Sequence, residues 1–121
     1  MQPAVIPILR IFNLDKAKEF YCDFLDWKID WSHTFGENFP VYMQISTGSA
    51  TLHLSEHYGD ACPGSTVKIR VDDIDAMAAR LQEKNYKFSK PGVELMPWKT
   101  KEMWIHDPFG NKLMFFEDVG G

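Results

Sequence analysis

The sequence predicts an α+β fold made of two tandem βαβββ modules. The first reason is a repeat: residues 9–15 return without gaps as residues 69–75, sixty positions further along the 121-residue chain. The second is that both copies continue into apolar patterns with helical spacing, and the third is that strand-like segments follow each of them. Two copies are too few for a solenoid. We therefore expect a single domain, with module one at about residues 1–57 and module two at about residues 66–121.

Module one begins with a predicted strand at residues 4–11 and continues into a helix. Apolar residues at helical spacing mark the face of this helix that should be buried; they are Ala17, Phe20, Tyr21, Phe24 and Leu25. Further strands are predicted at residues 27–35, 41–46 and 50–55, with a tight turn at residues 47–49. In the first of them, alternation predicts one shared face for Trp27, Ile29, Trp31, His33 and Phe35.

Module two repeats this order. A predicted strand at residues 66–71 precedes a helix that Asn85 is suited to end in a left-handed conformation. The apolar face of this helix comprises Ile74, Met77, Ala78 and Leu81. Strands are predicted at residues 86–89, 101–106 and 112–117, and a turn containing Pro108 and Gly110 separates the last two. Residues 58–65 are the predicted linker between the modules.

The composition indicates a compact protein with an apolar core, since 45% of the residues are hydrophobic and 25% are charged. A net charge of −4 argues against nucleic acid as a partner, because phosphate binding needs a concentrated basic face. The N-terminal residues do not combine a basic region with an apolar stretch, so we expect a cytoplasmic protein without a membrane anchor. Cys22 and Cys62 are expected to be free thiols.

Several motifs resemble the vicinal oxygen chelate superfamily, which includes glyoxalase I, extradiol dioxygenases and bleomycin resistance proteins. They are the paired modules, Phe20-Tyr21-x-x-Phe24-Leu25 on the first helix and Asp107-Pro108-x-Gly110-Asn111 before the last strand. Residues 6–9, Pro97-Trp98 and Lys101-Glu102 are most similar to the bleomycin resistance branch. The resemblance covers essentially the whole chain. It implies the glyoxalase/bleomycin resistance fold, in which a curled mixed sheet surrounds a cleft.

The resemblance also implies where a metal would bind. Metal enzymes of that superfamily place a ligand, usually His, Glu or Gln, at each of four inward strand positions, because a divalent cation needs several convergent lone pairs. These positions correspond to Ile6, His53, Thr66 and Met114. Only His53 is a good ligand, since isoleucine has no lone pair, threonine coordinates poorly and methionine is a soft thioether. We therefore expect neither a metal nor another cofactor.

Aromatic and polar residues on the predicted inward faces and loops form the candidate ligand site. Large aromatic rings at a cleft hold flat ligands by stacking, although a tryptophan on a strand can equally fill a core. Lys68 and Arg70 are predicted to face inward, either towards a ligand or in ion pairs with Glu102 or Glu56. The full candidate set is Trp31, Phe35, Phe39, His53, Ser55, Lys68, Arg70, Trp98, Glu102 and Trp104.

Bleomycin resistance proteins are dimers that sequester the drug without modifying it and exchange their first strand. The resemblance therefore implies a homodimer, and Pro3 and Pro7 suit an edge or hinge strand. Our main hypothesis is a metal-free protein for antibiotic resistance that sequesters an aromatic or flat small molecule at the dimer interface, with no catalytic residue. A bleomycin-like drug is one candidate ligand, whereas Lys68 and Arg70 favour an anionic or zwitterionic one.

Two other hypotheses remain open. The first is a metal-dependent lyase or dioxygenase of the glyoxalase type that uses His53, Glu56 and Glu117 in an unusual arrangement. The second is an accessory or scaffold protein with a closed cleft. A different metal site would have to draw on the four histidines, which are His33, His53, His57 and His106.

Overall fold

The structure, a computed structural model, describes residues 3–86 and 92–120. It contains two compact units, Met1–Pro63 and Gly64–Gly121, called unit 1 and unit 2 below. Each unit has one four-stranded mixed sheet. The predicted α+β class and βαβββ order are confirmed. None of the helices in the described ranges is long and apolar enough to cross a lipid bilayer.

Unit 1 has its strands in the order β1-β4-β3-β2, with β1 parallel to β4 and the other neighbours antiparallel. Its elements are β1 (Ile8–Arg10), α1 (Leu14–Lys18), a π-helical continuation (Glu19–Phe24), β2 (Lys28–Thr34), β3 (Val41–Thr47) and β4 (Ala50–Ser55). Asn13 begins α1 by accepting a hydrogen bond from the backbone of Lys16 at 2.9 Å. The tight turn between β3 and β4 is confirmed, with Gly48 at a positive φ of 54°.

The helical face predicted for module one is buried. Its five apolar residues are at most 3% exposed. The strands contribute apolar residues at alternate positions, and these are Met43, Ile45, Leu52 and Leu54. The residues between them on β3 and β4 belong to the opposite face of the sheet and are partly exposed.

Two details of the first and second strands differ from the prediction. β1 is shorter than residues 4–11, because Pro7 has no N–H to donate to a ladder, although its carbonyl still accepts from the His53 backbone at 2.9 Å. The predicted shared face on the second strand is wrong across residue 30, although Trp31 and His33 still share a face. A bulge places Ile29 opposite Ile45 but Trp31 opposite Gln44, so the extra residue moves Trp31 to the opposite face.

Unit 2 has the equivalent order β5-β8-β7-β6, again with its first and last strands parallel. Its elements are β5 (Thr66–Arg70), α2 (Ile74–Glu83), β6 (Val93–Leu95), β7 (Thr100–His106) and β8 (Lys112–Asp118). The predicted helix face is at most 8% exposed, and Asn85 has a positive φ of 50°, as expected at the end of this helix. The strand predicted at residues 86–89 falls mostly outside the described residues; Tyr86 itself is not in a strand, and β6 was not predicted.

The turn between β7 and β8 is built around the buried carboxylate of Asp107. One carboxylate oxygen accepts hydrogen bonds from the backbone N–H groups of Phe109 and Asn111 at 2.9 and 2.8 Å. The other accepts from the Asn111 side chain at 2.9 Å. Gly110 adopts a φ of 93°, which a residue with a side chain rarely adopts. The DPxGN motif is therefore a structural requirement of this turn.

Strand register confirms the internal repeat. β1 and β4 place Ile8 opposite His53, and β5 and β8 place Lys68 opposite Met114. Because Ile8 and Lys68 are equivalent in the repeat, His53 and Met114 occupy equivalent positions in the two sheets. The same position is thus a polar imidazole in one unit and a thioether in the other.

Candidate ligand-binding site

The open face of the unit 1 sheet carries a cluster of aromatic and polar side chains. The register aligns Gln44 with His53 across β3 and β4, and aligns Trp31 with Gln44 across β2 and β3. The Trp31 and Tyr42 rings are stacked with centroids 6.0 Å apart and planes inclined by 15°. Both lie edge-on to the His53 ring, at 5.4 and 5.2 Å. The stacked rings of Trp31 and Tyr42, with His53 at their edge, are called the unit 1 wall below.

The imidazole of His53 is hydrogen-bonded at both nitrogens. The Tyr42 hydroxyl lies 2.6 Å from Nδ1, and the Gln44 carbonyl oxygen Oε1 lies 3.0 Å from Nε2. The Gln44 amide then donates to Asp30 at 3.0 Å, and the Ser46 hydroxyl donates to the other oxygen of that carboxylate at 3.0 Å. These hydrogen bonds, with Gln44 first and Ser46 second, hold the pKa of Asp30 below its usual value.

A cavity of about 390 Å³ lies along this wall, within the size range of small-molecule sites. It is lined by Trp31, His33, Phe35, Tyr42, His57 and Asp60. Burial, with a smaller contribution from the Asp60 carboxylate, raises the pKa of Tyr42, so its phenol stays neutral at physiological pH. Trp31 is 44% exposed and Phe35 is 76% exposed, which leaves ring surface available to a ligand.

Other predicted residues of unit 1 have different surroundings. Phe39 lines a second cavity of about 340 Å³ with Arg10 and Phe12, separately from the Trp31 wall. Ser55 is fully buried and donates to Asp60 at 2.6 Å, so it orients a cavity carboxylate rather than lining the cavity. Of the five candidates in unit 1, the structure therefore brings together Trp31, Phe35 and His53.

The open face of the unit 2 sheet places two cations on one aromatic ring. The Lys68 ammonium and the Arg70 guanidinium lie 4.7 and 5.7 Å from the centroid of Phe116, a cation–π arrangement. The ion pair of Arg70 is with Asp118 at 3.6 Å, rather than with Glu102 or Glu56 as the sequence suggested. Both partners in this pair are well exposed, so solvent screens it and the guanidinium remains accessible.

Trp98 and Glu102 are linked on the same unit. Trp98 lies in the turn between β6 and β7, as predicted, and its indole N–H donates to the Glu102 carboxylate at 3.1 Å. The Thr100 hydroxyl donates to the same oxygen at 3.1 Å, and Glu102 is only 5% exposed. Trp104, 48% exposed, pairs across the strands with Met114. The hydrogen bond to the buried Glu102 carboxylate therefore holds the exposed Trp98 indole in place.

The residues at the four positions that the resemblance assigns to metal ligands do not fit a metal ion. His53 already has both ring nitrogens in hydrogen bonds, so ligation would break the bond to Tyr42 or that to Gln44. Its equivalent in unit 2 is Met114, a weak ligand for hard divalent ions. Within residues 3–86 and 92–120, no three His, Cys, Asp or Glu side chains are grouped closely enough to hold an ion.

The two glutamates proposed for an unusual metal site have structural partners. Glu56 accepts a hydrogen bond from the backbone N–H of Val41 at 2.9 Å. Glu117 accepts one from the backbone N–H of Ile74 at the start of α2, also at 2.9 Å. Each carboxylate therefore accepts a hydrogen bond from the backbone N–H of the first residue of an element.

Several residues of the unit 1 wall were missed by sequence reasoning. Tyr42 and Gln44 alternate on a strand that was predicted, so its period of two could have identified them. Asp60 follows the module in a segment read as linker, and Asp30 lies at the bulge. Neither residue has a sequence signal that would place it near His53.

Comparison with known proteins supplies the family. A family model described as glyoxalase superfamily protein matches residues 2–121. The chain belongs to the glyoxalase superfamily. The family resemblance predicted from the sequence is therefore confirmed, and the motifs that suggested it lie within the matched residues. A sequence search of curated proteins gave no significant match.

Solved structures share the glyoxalase superfamily fold with this chain. A bleomycin resistance determinant encoded on the transposon Tn5 superposes with a TM-score of 0.75 at 19% identity, over 97% of this chain and 98% of that one. An antibiotic binding protein from Streptomyces sp. CB03234 gives 0.72 at 23% identity, over 98% and 99%. A superfamily member from Sphaerobacter thermophilus gives 0.73 at 19% identity, over 97% and 98%.

Proposed function

We propose that this protein binds and sequesters a flat or aromatic small molecule without a metal and without catalysing a reaction on it. The observation that carries the proposal is the stacked Trp31–Tyr42 wall along a cavity of about 390 Å³. A rigid aromatic wall gives a large contact area with little loss of side-chain entropy. Two similar structures, a bleomycin resistance determinant and an antibiotic binding protein, support a binding role of this kind.

The state of His53 supports the metal-free part of the proposal. A zinc ligand uses a ring lone pair and usually donates its other N–H to a carboxylate, a carbonyl or water. In this protein the Tyr42 hydroxyl occupies one ring nitrogen of His53 and Gln44 the other. The position that could have served a metal has become part of the wall that contacts the ligand.

Unit 2 offers a second set of contacts to the same class of ligand. The Phe116 ring with Lys68 and Arg70 above it suits a flat ligand that carries an anionic group. The exposed indoles of Trp98 and Trp104 add stacking surface. We include these residues in the proposed ligand contacts, together with Glu102, which holds the Trp98 indole.

We also propose that two copies form a homodimer that exchanges the first strand and places the ligand at the interface. Val5 is 91% exposed and Ile6 is 41% exposed, an apolar segment that a second copy would cover. Sedimentation velocity should then give twice the chain mass of 14.0 kDa at micromolar concentration. A single species at 14.0 kDa over the accessible concentration range would rule out the dimer. The free cysteines Cys22 and Cys62 fit a cytoplasmic location.

The binding proposal is tested by tryptophan fluorescence. Bleomycin and a panel of flat cationic, neutral and anionic aromatic compounds are titrated into the protein. We expect a saturable change with at least one compound, because Trp31 lines the cavity. The Trp31→Phe variant assigns the signal: a change reported by Trp31 is lost in this variant, whereas a change that remains comes from one of the other three tryptophans. If none of the compounds gives a saturable change, the proposed binding role is refuted.

A further inference from the structure

The hydrogen bonds of the unit 1 wall have a fixed direction, and Asp30 sets it. An ionised carboxylate can only accept hydrogen bonds. Gln44 must therefore turn its NH₂ group towards Asp30, 3.0 Å away, and its carbonyl oxygen towards His53. The opposite orientation of the amide would place two acceptors against each other. Ser46 donates to the second oxygen of the same carboxylate and holds it in place.

The direction of these hydrogen bonds then determines the tautomer of His53. Because Gln44 Oε1 is an acceptor, His53 Nε2 must carry the proton that is shared over 3.0 Å. In a neutral imidazole the other nitrogen is then bare, so Nδ1 is an acceptor. The Tyr42 hydroxyl, 2.6 Å away, donates its only proton to Nδ1.

A consequence for the ligand follows at Tyr42. With its proton committed to His53, the Tyr42 oxygen has only lone pairs left, and within residues 3–86 and 92–120 His53 is its sole hydrogen-bond partner. The raised pKa of Tyr42 keeps the phenol protonated, as this direction requires. Asp60, which lines the same cavity, is also an acceptor. His33 and His57 can each present either a donor or an acceptor.

We propose that the unit 1 cavity selects flat aromatic ligands that carry a hydrogen-bond donor, such as a phenol O–H or an aromatic N–H, on the ring edge. The Tyr42 oxygen is the acceptor that recognises this donor, and Asp30 is a positioning residue that acts on Tyr42 through Gln44 and His53. The inference rests on the proposed binding function and adds the ligand class. It explains why the chain of four side chains ends at a cavity rather than in the core.

A matched pair of probes tests this selectivity. 2-Naphthol and 2-methoxynaphthalene have the same flat ring system, but only the first can donate a hydrogen bond. We expect 2-naphthol to bind about tenfold more tightly, the worth of one hydrogen bond, in a titration followed by NMR chemical shifts. In the Tyr42→Phe variant the two probes should bind equally, and 2-methoxynaphthalene should bind as it does to the original protein.

The Asp30→Asn variant tests whether the preference depends on the direction of the hydrogen bonds or only on the packing of the side chains. Asparagine offers a donor as well as an acceptor, so Gln44 can turn over and His53 can place its proton on Nδ1. Tyr42 would then be free to donate into the cavity. We expect the preference for 2-naphthol to fall to less than about threefold although the Tyr42 oxygen is still present. Ser32→Ala, an exposed change on the same strand, should leave the preference unchanged.

The ¹⁵N chemical shifts of the His53 ring give a direct reading, because protonated and bare ring nitrogens differ clearly. At neutral pH we expect a protonated Nε2 and a bare Nδ1. A proton on Nδ1, equal affinity of the two probes, or a preference that persists in Tyr42→Phe would overturn the inference while leaving the binding function intact. Failure of these probes and of every compound in the fluorescence panel to bind would overturn both.

Discussion

Replacing Asp107 by alanine is expected to lower the free energy of unfolding by about 3 kcal/mol. The carboxylate is only 6% exposed and accepts hydrogen bonds from the backbone of Phe109 and from both the backbone and the side chain of Asn111. Its removal leaves buried donors without this acceptor, each at a cost of about 1–3 kcal/mol before relaxation. Urea denaturation followed by far-UV circular dichroism measures the change.

The matched control for this prediction is Asp118→Ala. Asp118 is the last residue of β8. Unlike Asp107 it is well exposed, and its ion pair with Arg70 is screened by solvent. We expect a loss below about 1 kcal/mol. If Asp107→Ala were no more damaging than Asp118→Ala, the turn would not depend on its carboxylate, and the structural explanation of the DPxGN motif would be wrong.

Replacing Trp31 by alanine is expected to weaken binding of flat aromatic ligands by about tenfold to a hundredfold. The substitution removes one of the two stacked rings, and with it one of the two rings that lie edge-on to His53. Stability should change less than affinity, because Trp31 is 44% exposed. Isothermal titration with the best ligand of the fluorescence panel measures the affinity, and thermal unfolding measures the stability.

Tyr58→Ala serves as the comparison. Tyr58 is another large aromatic residue of unit 1, but it is 92% exposed and does not line the cavity beside Trp31. Its replacement should leave the affinity unchanged. Equal affinities for Trp31→Ala and the unsubstituted protein would show that the ligand binds elsewhere.

The fold could be predicted from sequence because its signals are local and repeated. The gapless recurrence of residues 9–15 identified the two modules, and helical spacing identified buried faces that the structure confirms. The glycine and aspartate of the DPxGN turn likewise act within five residues. Such short-range patterns can be recognised without knowing which elements pack against each other.

The candidate site was harder to predict because it depends on strand register. A bulge at Asp30 changes which face Trp31 occupies, and one extra residue in a strand leaves no trace in composition or alternation. The bond from Tyr42 to His53 joins adjacent strands, and Asp60 reaches the cavity through a loop. Sequence reasoning could name His53 as an inward residue, but not that both its nitrogens are occupied.

The unit 2 contacts show the same limit. Lys68 and Arg70 were correctly expected on one strand face, but the ring that both cations contact, Phe116, comes from β8. The indole of Trp98 reaches Glu102 across a turn in which Lys99 has a positive φ. Partners of this kind are set by tertiary structure, whereas the faces themselves follow from alternation.

We propose that this member of the glyoxalase superfamily holds ligands without a metal, because His53, at a position that the resemblance assigns to a metal ligand, is hydrogen-bonded to Tyr42 and Gln44. Metal content measures this most directly: the protein, purified without chelators, is equilibrated with Zn²⁺, Ni²⁺, Mn²⁺ or Fe²⁺, freed of excess ion and assayed by elemental mass spectrometry. We predict far less than one ion per chain, with ligand affinity unaffected by the treatment. One tightly held ion per chain that is lost in His53→Ala would contradict the claim.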